Sequence, residues 1–405
     1  MIEASPPPAH VPWRLVLLLG ALTAFAPMSI DMYLSSLPSI GRTLNAAPDQ
    51  TQATLAAFFA GMAIGQVFYG PASDRFGRRP PLLVGIGLFI VASIVCALAP
   101  NIETLIAARF LQALGGCAGP VVARAVVRDR FSHTDTARVL SLMTLIMGLA
   151  PVLAPQLGGI VQFVAGWRGV FWTLVVFGAL IATWVVVSLT ESRSAATEAQ
   201  ARTENPLKAY VALFGMRRLM GYALAGALNG AVLFTYISGA PELVMGTYGH
   251  SPLMFNLVFA FNAVGIIGAS QVNRWLLRRA APDQVLARAS IASIVAALLL
   301  TLAAWTGWGG QWTVLPLLFA ALSLYGLMGG NTMAGALSVD PRRAGSISAL
   351  MGSASFGAGA LASWAGAALH DGTPRPVAGV MFACLVGSAL AIFLLALPGA
   401  KKLQA

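Results

Sequence analysis

Only one acidic side chain in this 405-residue chain sits well inside a long apolar run: Asp31, within APMSIDMYLSSLP, Ala26 to Pro38. The remaining carboxylates fall in polar segments or at the ends of apolar runs. Arg109 is also set in an apolar run, and Gln112 follows it by one helical turn, on the same face. A charge at such depth costs roughly 3 kcal/mol on insertion scales, so it marks a functional or water-filled cavity. The chemistry open to these residues is proton exchange, with Asp31 binding and releasing a proton as its cavity dries and fills. Arg109 supplies a neighbouring positive charge, and Gln112 can orient its guanidinium by hydrogen bonding. His10, His133, His250 and His370 lie in tails, loops or run ends, and no nucleophile, base and acid gather in the apolar runs. That distribution argues against an embedded enzyme, and no catalytic residue is expected. Cys96, Cys117 and Cys384 fall inside apolar runs as small apolar side chains, so neither a disulfide nor a metal site follows. No cofactor is expected; a proton gradient would be the energy source.

The elements that must position these residues are read from composition. With 58% hydrophobic and 10% charged residues, the chain has too little polar surface to clothe a soluble globule of its length. Runs of about 18 or more apolar residues recur, each long enough to cross a hydrocarbon core as a helix. Six are placed near Arg14 to Leu37, Thr51 to Gly70, Pro81 to Ala99, Thr104 to Val122, Val139 to Val164 and Val170 to Leu189. Six more lie near Gly221 to Ala240, Met254 to Val272, Val285 to Trp305, Trp312 to Leu337, Gly345 to Leu369 and Val377 to Leu397. The first run continues past Asp31 and is longer than a signal-peptide core, so it counts as a span. Between the sets, the polar stretch Glu191 to Lys208 reads as a mobile linker. The expected division is a first bundle over 1–190, a linker over 191–216 and a second bundle over 217–405. Asp31 lies about seven residues, or roughly 10 Å, below the outer end of span one. Arg109 lies about six residues, or roughly 9 Å, below the same face in span four. At one depth, the two are expected to interact.

Lys and Arg are distributed unevenly among the loops. With the amino terminus cytoplasmic, only Arg42, Arg168 and Arg375 fall on the far side, and Arg109 lies within a span; every other basic residue is cytoplasmic. The net charge of +11 then reflects topology and anionic lipid head groups, with no need for a nucleic-acid partner. Both termini are expected in the cytoplasm. Arg78, Arg79 and Pro80 after span two are echoed by Arg278, Arg279 and Pro282 after span eight, about two hundred residues on. Two parallel six-helix halves with a site between them at mid-membrane are the expected plan.

Three motifs then carry a family resemblance. GPASDRFGRRP, Gly70 to Pro80, resembles the loop motif between spans two and three of the major facilitator superfamily. Gly70 and Gly77 permit close approach and a tight turn, and Asp74 can accept from the cluster Arg75, Arg78 and Arg79 or cap a helix. The resemblance implies a latch on the outward-facing state. RFLQALGG, Arg109 to Gly116, is similar to the superfamily's fourth-span motif. GLAPVLAPQLGG, Gly148 to Gly159, resembles the fifth-span signature of its exporters. There Pro151 and Pro155 are expected to bend the helix, while Gly148, Gly158 and Gly159 admit a close neighbour. The Asp31 segment resembles the first span of the bicyclomycin and chloramphenicol resistance (Bcr/CflA) branch of drug:proton antiporters, and the likeness extends over nearly the whole chain.

The resemblance implies an all-α membrane protein of twelve spans in two pseudo-symmetric bundles. It implies proton-coupled efflux of small amphipathic drugs across a bacterial inner membrane, with Asp31 as proton site supported by Arg109 and Gln112. Export of a small metabolite such as an amino acid or peptide, and nutrient uptake, are the alternatives; the fifth-span signature argues against uptake. Tyr33, Met147, Asn229, Tyr236, Phe259, Asn262, Tyr325, Asn331 and Met351 are candidates to line an adaptable pocket. Glu242, just beyond span seven, reads as an exposed loop carboxylate. The expected partners are a small-molecule drug or metabolite, protons and the lipid bilayer, with a monomer as the family-based expectation.

Overall fold

The computed structural model describes residues 13–131, 133–194, 198–199 and 206–398, which hold helices, turns and no strand. Span one is a broken helix, Trp13–Thr23 followed by Phe25–Leu34 at a bend of 48°, and a third piece, Leu37–Leu44, extends it. Span four divides into Ile102–Gly116 and Ala118–Arg130. Each helix that stops short ends four residues before a proline: Thr23 before Pro27, Leu34 before Pro38, Gly116 before Pro120. A proline ring pushes against the carbonyl four residues back and offers it no N–H, so a break there follows from the covalent chemistry.

Starts are set as locally as stops. Span two, Pro48–Phe76, opens on a proline, and the Gln50 side chain accepts from the Ala47 backbone N–H at 3.0 Å. Asn101 caps span four by accepting from the Thr104 N–H at 2.9 Å, and Ser251 caps span eight, Pro252–Leu276, by accepting from Met254. Span three is Arg79–Leu98, and spans five and six run together as His133–Ser188, broken where Gly166 takes φ 68°. Pro151 and Pro155 stay within that helix without a non-helical residue, so the only break lies at the far turn rather than at the prolines.

The second half repeats the plan with Arg217–Pro241, Pro252–Leu276, Pro282–Thr306, Gln311–Val339, Ala344–Ala368 and Arg375–Ala391. Nine of the described helices are long and apolar enough to cross a membrane, and the bent first pair makes a tenth. Separating spans five and six at Gly166, and adding the Gly-, Ser- and Ala-rich Ala344–Ala368, completes the expected twelve. The outer surface is apolar, with Phe163, Val164, Val187 and Trp312 almost bare, as a lipid-facing surface requires. Span seven outruns its expected end: a π-helical turn, Glu242–Thr247, continues it, and Glu242 is half-buried there rather than exposed in a loop.

The halves meet along spans two, seven, eleven, five and eight. Phe59 of span two packs its ring 4.4 Å from Phe234 of span seven, which stacks on Phe356 of span eleven at 4.8 Å. Ser353 donates to the Ala63 carbonyl at 2.8 Å, and Asn256 of span eight donates to the Pro155 carbonyl of span five at 3.0 Å.

Candidate functional site

Arg109 is fully buried in the first half, yet among the described residues it meets no carboxylate. Its guanidinium lies over the rings of Phe58 at 4.2 Å, Tyr33 at 4.6 Å and Phe171 at 5.9 Å, an aromatic box from spans two, one and six. Each ring face is electron-rich and attracts a desolvated cation. One edge of the guanidinium is fixed by a chain of hydrogen bonds. Arg109 Nη1 donates to Gln112 Oε1 at 2.5 Å, Gln112 Nε2 to Ser93 Oγ at 2.7 Å, and Ser93 Oγ to the Phe89 carbonyl at 2.6 Å. The box is fixed as well: Thr54 Oγ1 gives its proton to the Thr51 carbonyl at 2.6 Å, so the Tyr33 hydroxyl is the donor in its 2.8 Å bond to Thr54. Arg109 Nε and Nη2 have no protein partner.

Asp31 is 4% exposed and, among the described residues, accepts no hydrogen bond and forms no ion pair. The expected contact with Arg109 is therefore not made. Depth was the wrong coordinate to rely on: Tyr33, two residues after Asp31, is rotated about 200° around the helix. Tyr33 faces Arg109 and Asp31 faces the other way, on a span that packs against span seven of the second half. Tyr236 receives a hydrogen bond from Asn262 Nδ2 at 2.9 Å and stacks on Phe259 at 5.6 Å, the planes 14° apart. Three pocket candidates thus gather in the second half, which meets span one through span seven.

The other pocket candidates scatter. Asn229 donates to Ser388 Oγ at 3.3 Å and Asn331 to Asn273 Oδ1 at 2.8 Å, both inside the second bundle. Met351 packs against Gly226, and Tyr325 is half-buried beside Gly329. Met147 and Gly148 carry side-chain positions outside the described residues. Sequence reading overlooked Ser35, one turn after Asp31, Thr235, beside Tyr236, and Asn256, each of which buries a polar atom with no partner among the described residues. Small hydroxyls and amides in apolar runs carry little signal alone; what would have flagged them is their spacing from Asp31 and Tyr236.

The fifth-span signature sits between the two sides of this region. Gly158 lies against the Met32 backbone, one residue from Asp31, and Gly159 faces Asn256 of the second half. Span five therefore touches the carboxyl's own helix and the opposite bundle within one helical turn.

On the arginine-rich face, Arg78 is the hub. Its Nε and Nη2 hold both oxygens of Asp129 at 2.7 and 3.2 Å, and Nη1 reaches Ser73 Oγ at 2.9 Å and the Asp74 carboxylate. Burial works against the guanidinium's charge, but the bonds and charges of Asp129 and Asp74 outweigh it and keep Arg78 charged. Most of the motif is helical rather than loop: Gly70 to Phe76 complete span two, and Gly77 turns the chain at φ 93°. Glu191, beyond span six, accepts from the backbone N–H groups of Arg78 at 2.9 Å and Arg79 at 3.2 Å, capping span three. Burial pushes Glu191 up, yet these donors and those of Ser192 and Arg193 hold it below the ordinary carboxylate value. Arg193 caps the other end, donating to the last carbonyls of span two, Asp74 at 3.3 Å and Arg75 at 2.5 Å. Arg79 donates to the Val186 carbonyl at 3.0 Å. The hydrogen bonds of this cluster join spans two, three, four and six of the first half. In the second half, Arg218 and Tyr222 instead share Asp283 at 3.2 and 2.6 Å, while Arg279 rests on the Trp275 ring.

Comparison with known proteins follows the same lines. The family described as Major Facilitator Superfamily matches residues 19–363. The "Uncharacterized MFS-type transporter YdgK" of Bacillus subtilis (strain 168) is 35% identical over 383 residues, 94% of each chain. The bicyclomycin resistance protein homolog of Haemophilus influenzae is 30% identical over 383 residues, 94% of this chain and 95% of that one. The multidrug resistance protein MdtL of Shigella dysenteriae serotype 1 is 31% identical over 379 residues, 94% of each. Among solved structures, that of a D-xylose-proton symporter superposes with a TM-score of 0.73 at 14% identity, covering 95% of this chain and 97% of the other. The partially occluded inward-open xylose transporter XylE of E. coli gives the same score over 94% and 97%. These two likenesses establish the fold; the relatives named for bicyclomycin and multidrug resistance agree with the bicyclomycin and chloramphenicol resistance (Bcr/CflA) branch expected from the Asp31 segment.

Proposed function

Because the chain belongs to the Major Facilitator Superfamily, we propose that this transporter exports small amphipathic, drug-like molecules across a bacterial inner membrane in exchange for protons. The observation that carries the reading is Asp31: a buried carboxyl on a span at the junction of the halves, without a partner among the described residues. In lipid-like surroundings such a group is tolerated as the neutral acid, and as an anion only when something supplies a counter-charge or hydrogen bonds. Water or a substrate's donors can supply them. Substrate arriving between Asp31 and the Tyr236, Phe259 and Asn262 face then competes with the proton for one site. If the halves rock about that site, proton entry and drug exit alternate.

Arg109 has a supporting part in this scheme. Its aromatic box and Gln112 hold a positive charge against the Tyr33 face of span one, without an ion pair to the carboxyl. The basic loops support a cytoplasmic location of both termini. The relatives named for bicyclomycin and multidrug resistance support the drug-like substrate class.

The test is internal pH in inverted, respiring vesicles as a drug panel that includes amphenicols and bicyclomycin is added. Native protein is expected to release lumenal protons on drug addition, and Asp31→Asn to give none. A proton response that survives Asp31→Asn would sink the coupling assignment; no response to any drug with both proteins folded would sink the drug-export reading.

A further inference from the structure

On the face away from the arginine-rich loops, a cleft of about 460 Å³ opens between the two halves. The first half walls it with the turn joining spans one and two and with Gln52; the second contributes Ser238, Pro241 and Glu242 of span seven. None of these residues belongs to the Asp31 region described above.

Three observations make this cleft a built site. Arg42 stands on the first-half wall and Glu242 on the second, so opposite charges line opposite sides. Among the described residues Arg42 makes no hydrogen bond or ion pair, and Glu242 has His370 Nε2 at 3.8 Å, beyond hydrogen-bond distance. Second, Gln52 lines the cleft while only 4% exposed, and its side-chain amide has no hydrogen-bond partner among the described residues. A buried amide left unpaired is unfavourable unless a ligand or water satisfies it. Third, Glu242 begins the π-helical turn that ends span seven, a widened backbone found at functional sites more often than elsewhere.

We propose that the cleft binds a small zwitterion of the unblocked dipeptide type, its carboxylate on Arg42, its ammonium on Glu242 and its central amide on Gln52. The volume suits a ligand of that size. A carboxylate alone would face Glu242, whose one neighbouring base among the described residues is His370 at 3.8 Å, and an amine alone would leave Arg42 unpaired; a molecule carrying both charges answers both walls. An occupant that touches both halves also favours the packing in which they meet on this face.

The experiment is calorimetric titration of the full-length protein in detergent micelles at neutral pH. The probes are glycylglycine, N-acetylglycylglycine, which lacks the ammonium, and glycylglycinamide, which lacks the carboxylate. Glycylglycine is expected to bind saturably, with each single-charge probe weaker by about tenfold or more. Arg42→Gln is expected to erase the preference for the carboxylate, and Glu242→Gln the preference for the ammonium. Ala47→Trp places a bulky ring at the exposed mouth of the cleft, and is expected to abolish binding with an unchanged melting curve. Absence of saturable heat with native protein, equal binding of all three probes, or discrimination that survives the charge substitutions would each overturn the proposal. The titration needs no proton gradient, so its failure and a failure of the export reading are separate results.

Discussion

Gly158 of span five lies against the carbonyl of Met32 so closely that a methyl group has no room between them. Met32 is the residue after Asp31, so the packing of the fifth-span signature sets the backbone on which the carboxyl is mounted. Gly158→Ala must push span one aside, a strain of about 1–3 kcal/mol. Drug-triggered proton release should fall by about tenfold or more in that variant. Leu157→Ala, which trims a side chain exposed to lipid, should leave it unchanged. Equal behaviour of the two variants would show that the contact is incidental.

The Arg109 relay makes a second prediction, because Gln112 both accepts from the guanidinium and donates to Ser93. Gln112→Leu leaves the buried Arg109 Nη1 without its acceptor and should destabilise the protein by about 1–3 kcal/mol in detergent unfolding. Gln112→Glu keeps the acceptor for Arg109 and should retain more transport than the leucine variant. A leucine variant as active and stable as native would remove the orienting role.

Arg78 grips both oxygens of Asp129, a geometry that a lysine ammonium lacks. Arg78→Lys should therefore behave nearly as badly as Asp129→Asn in thermal unfolding. A double-mutant cycle between the two positions should give a coupling of about 1–3 kcal/mol. Additive effects would mean that the pair is not a unit.

Glu191 gives the pH-dependent prediction. Its folded-state value is depressed, so its contribution is present above the ordinary carboxylate range and is lost as pH falls through the lower folded value. Native protein should exceed Glu191→Gln in stability by about 1 kcal/mol at neutral pH, as for other helix caps. That gap should close on acidification below the ordinary carboxylate range. A gap that widens in acid would contradict the capping geometry.

Tyr236, Phe259 and Asn262 form one stacked and hydrogen-bonded face, which predicts a split between selectivity and coupling. Asn262→Leu and Tyr236→Phe should alter the order of drugs in the vesicle assay by several-fold while proton release for the best remaining drug persists. Loss of all proton response in both variants, with folding intact, would move these residues from recognition into coupling.

The helices were legible because they follow from counting: apolar length marks a span. Which way each side chain points was not legible, since azimuth depends on how neighbouring helices are rotated and on where a span breaks. Tyr33, read only as a pocket candidate, turned out to occupy the place beside Arg109 intended for Asp31. Breaks were half legible: Pro27, Pro38 and Pro120 each end a helix four residues upstream, while Pro71, Pro151, Pro155 and Pro316 sit inside continuous ones. The arginine cluster was visible as a motif, but Asp129 and Glu191 were not, because their partners lie 51 and 113 residues away along the chain.

The polar stretch after span six looks like a tether, yet its first residues are built into the first bundle: Glu191 seats the start of span three, and Arg193 seats the end of span two. Anyone assembling the protein from two separately expressed fragments should therefore cut beyond Glu198, whose carboxylate holds Arg193 at 2.8 Å, and not at 190. A first fragment ending at 190 would carry bare N–H groups and carbonyls on either side of Gly77, and the six helices would lose the clasp on the very turn that their Arg78 hub is anchored to.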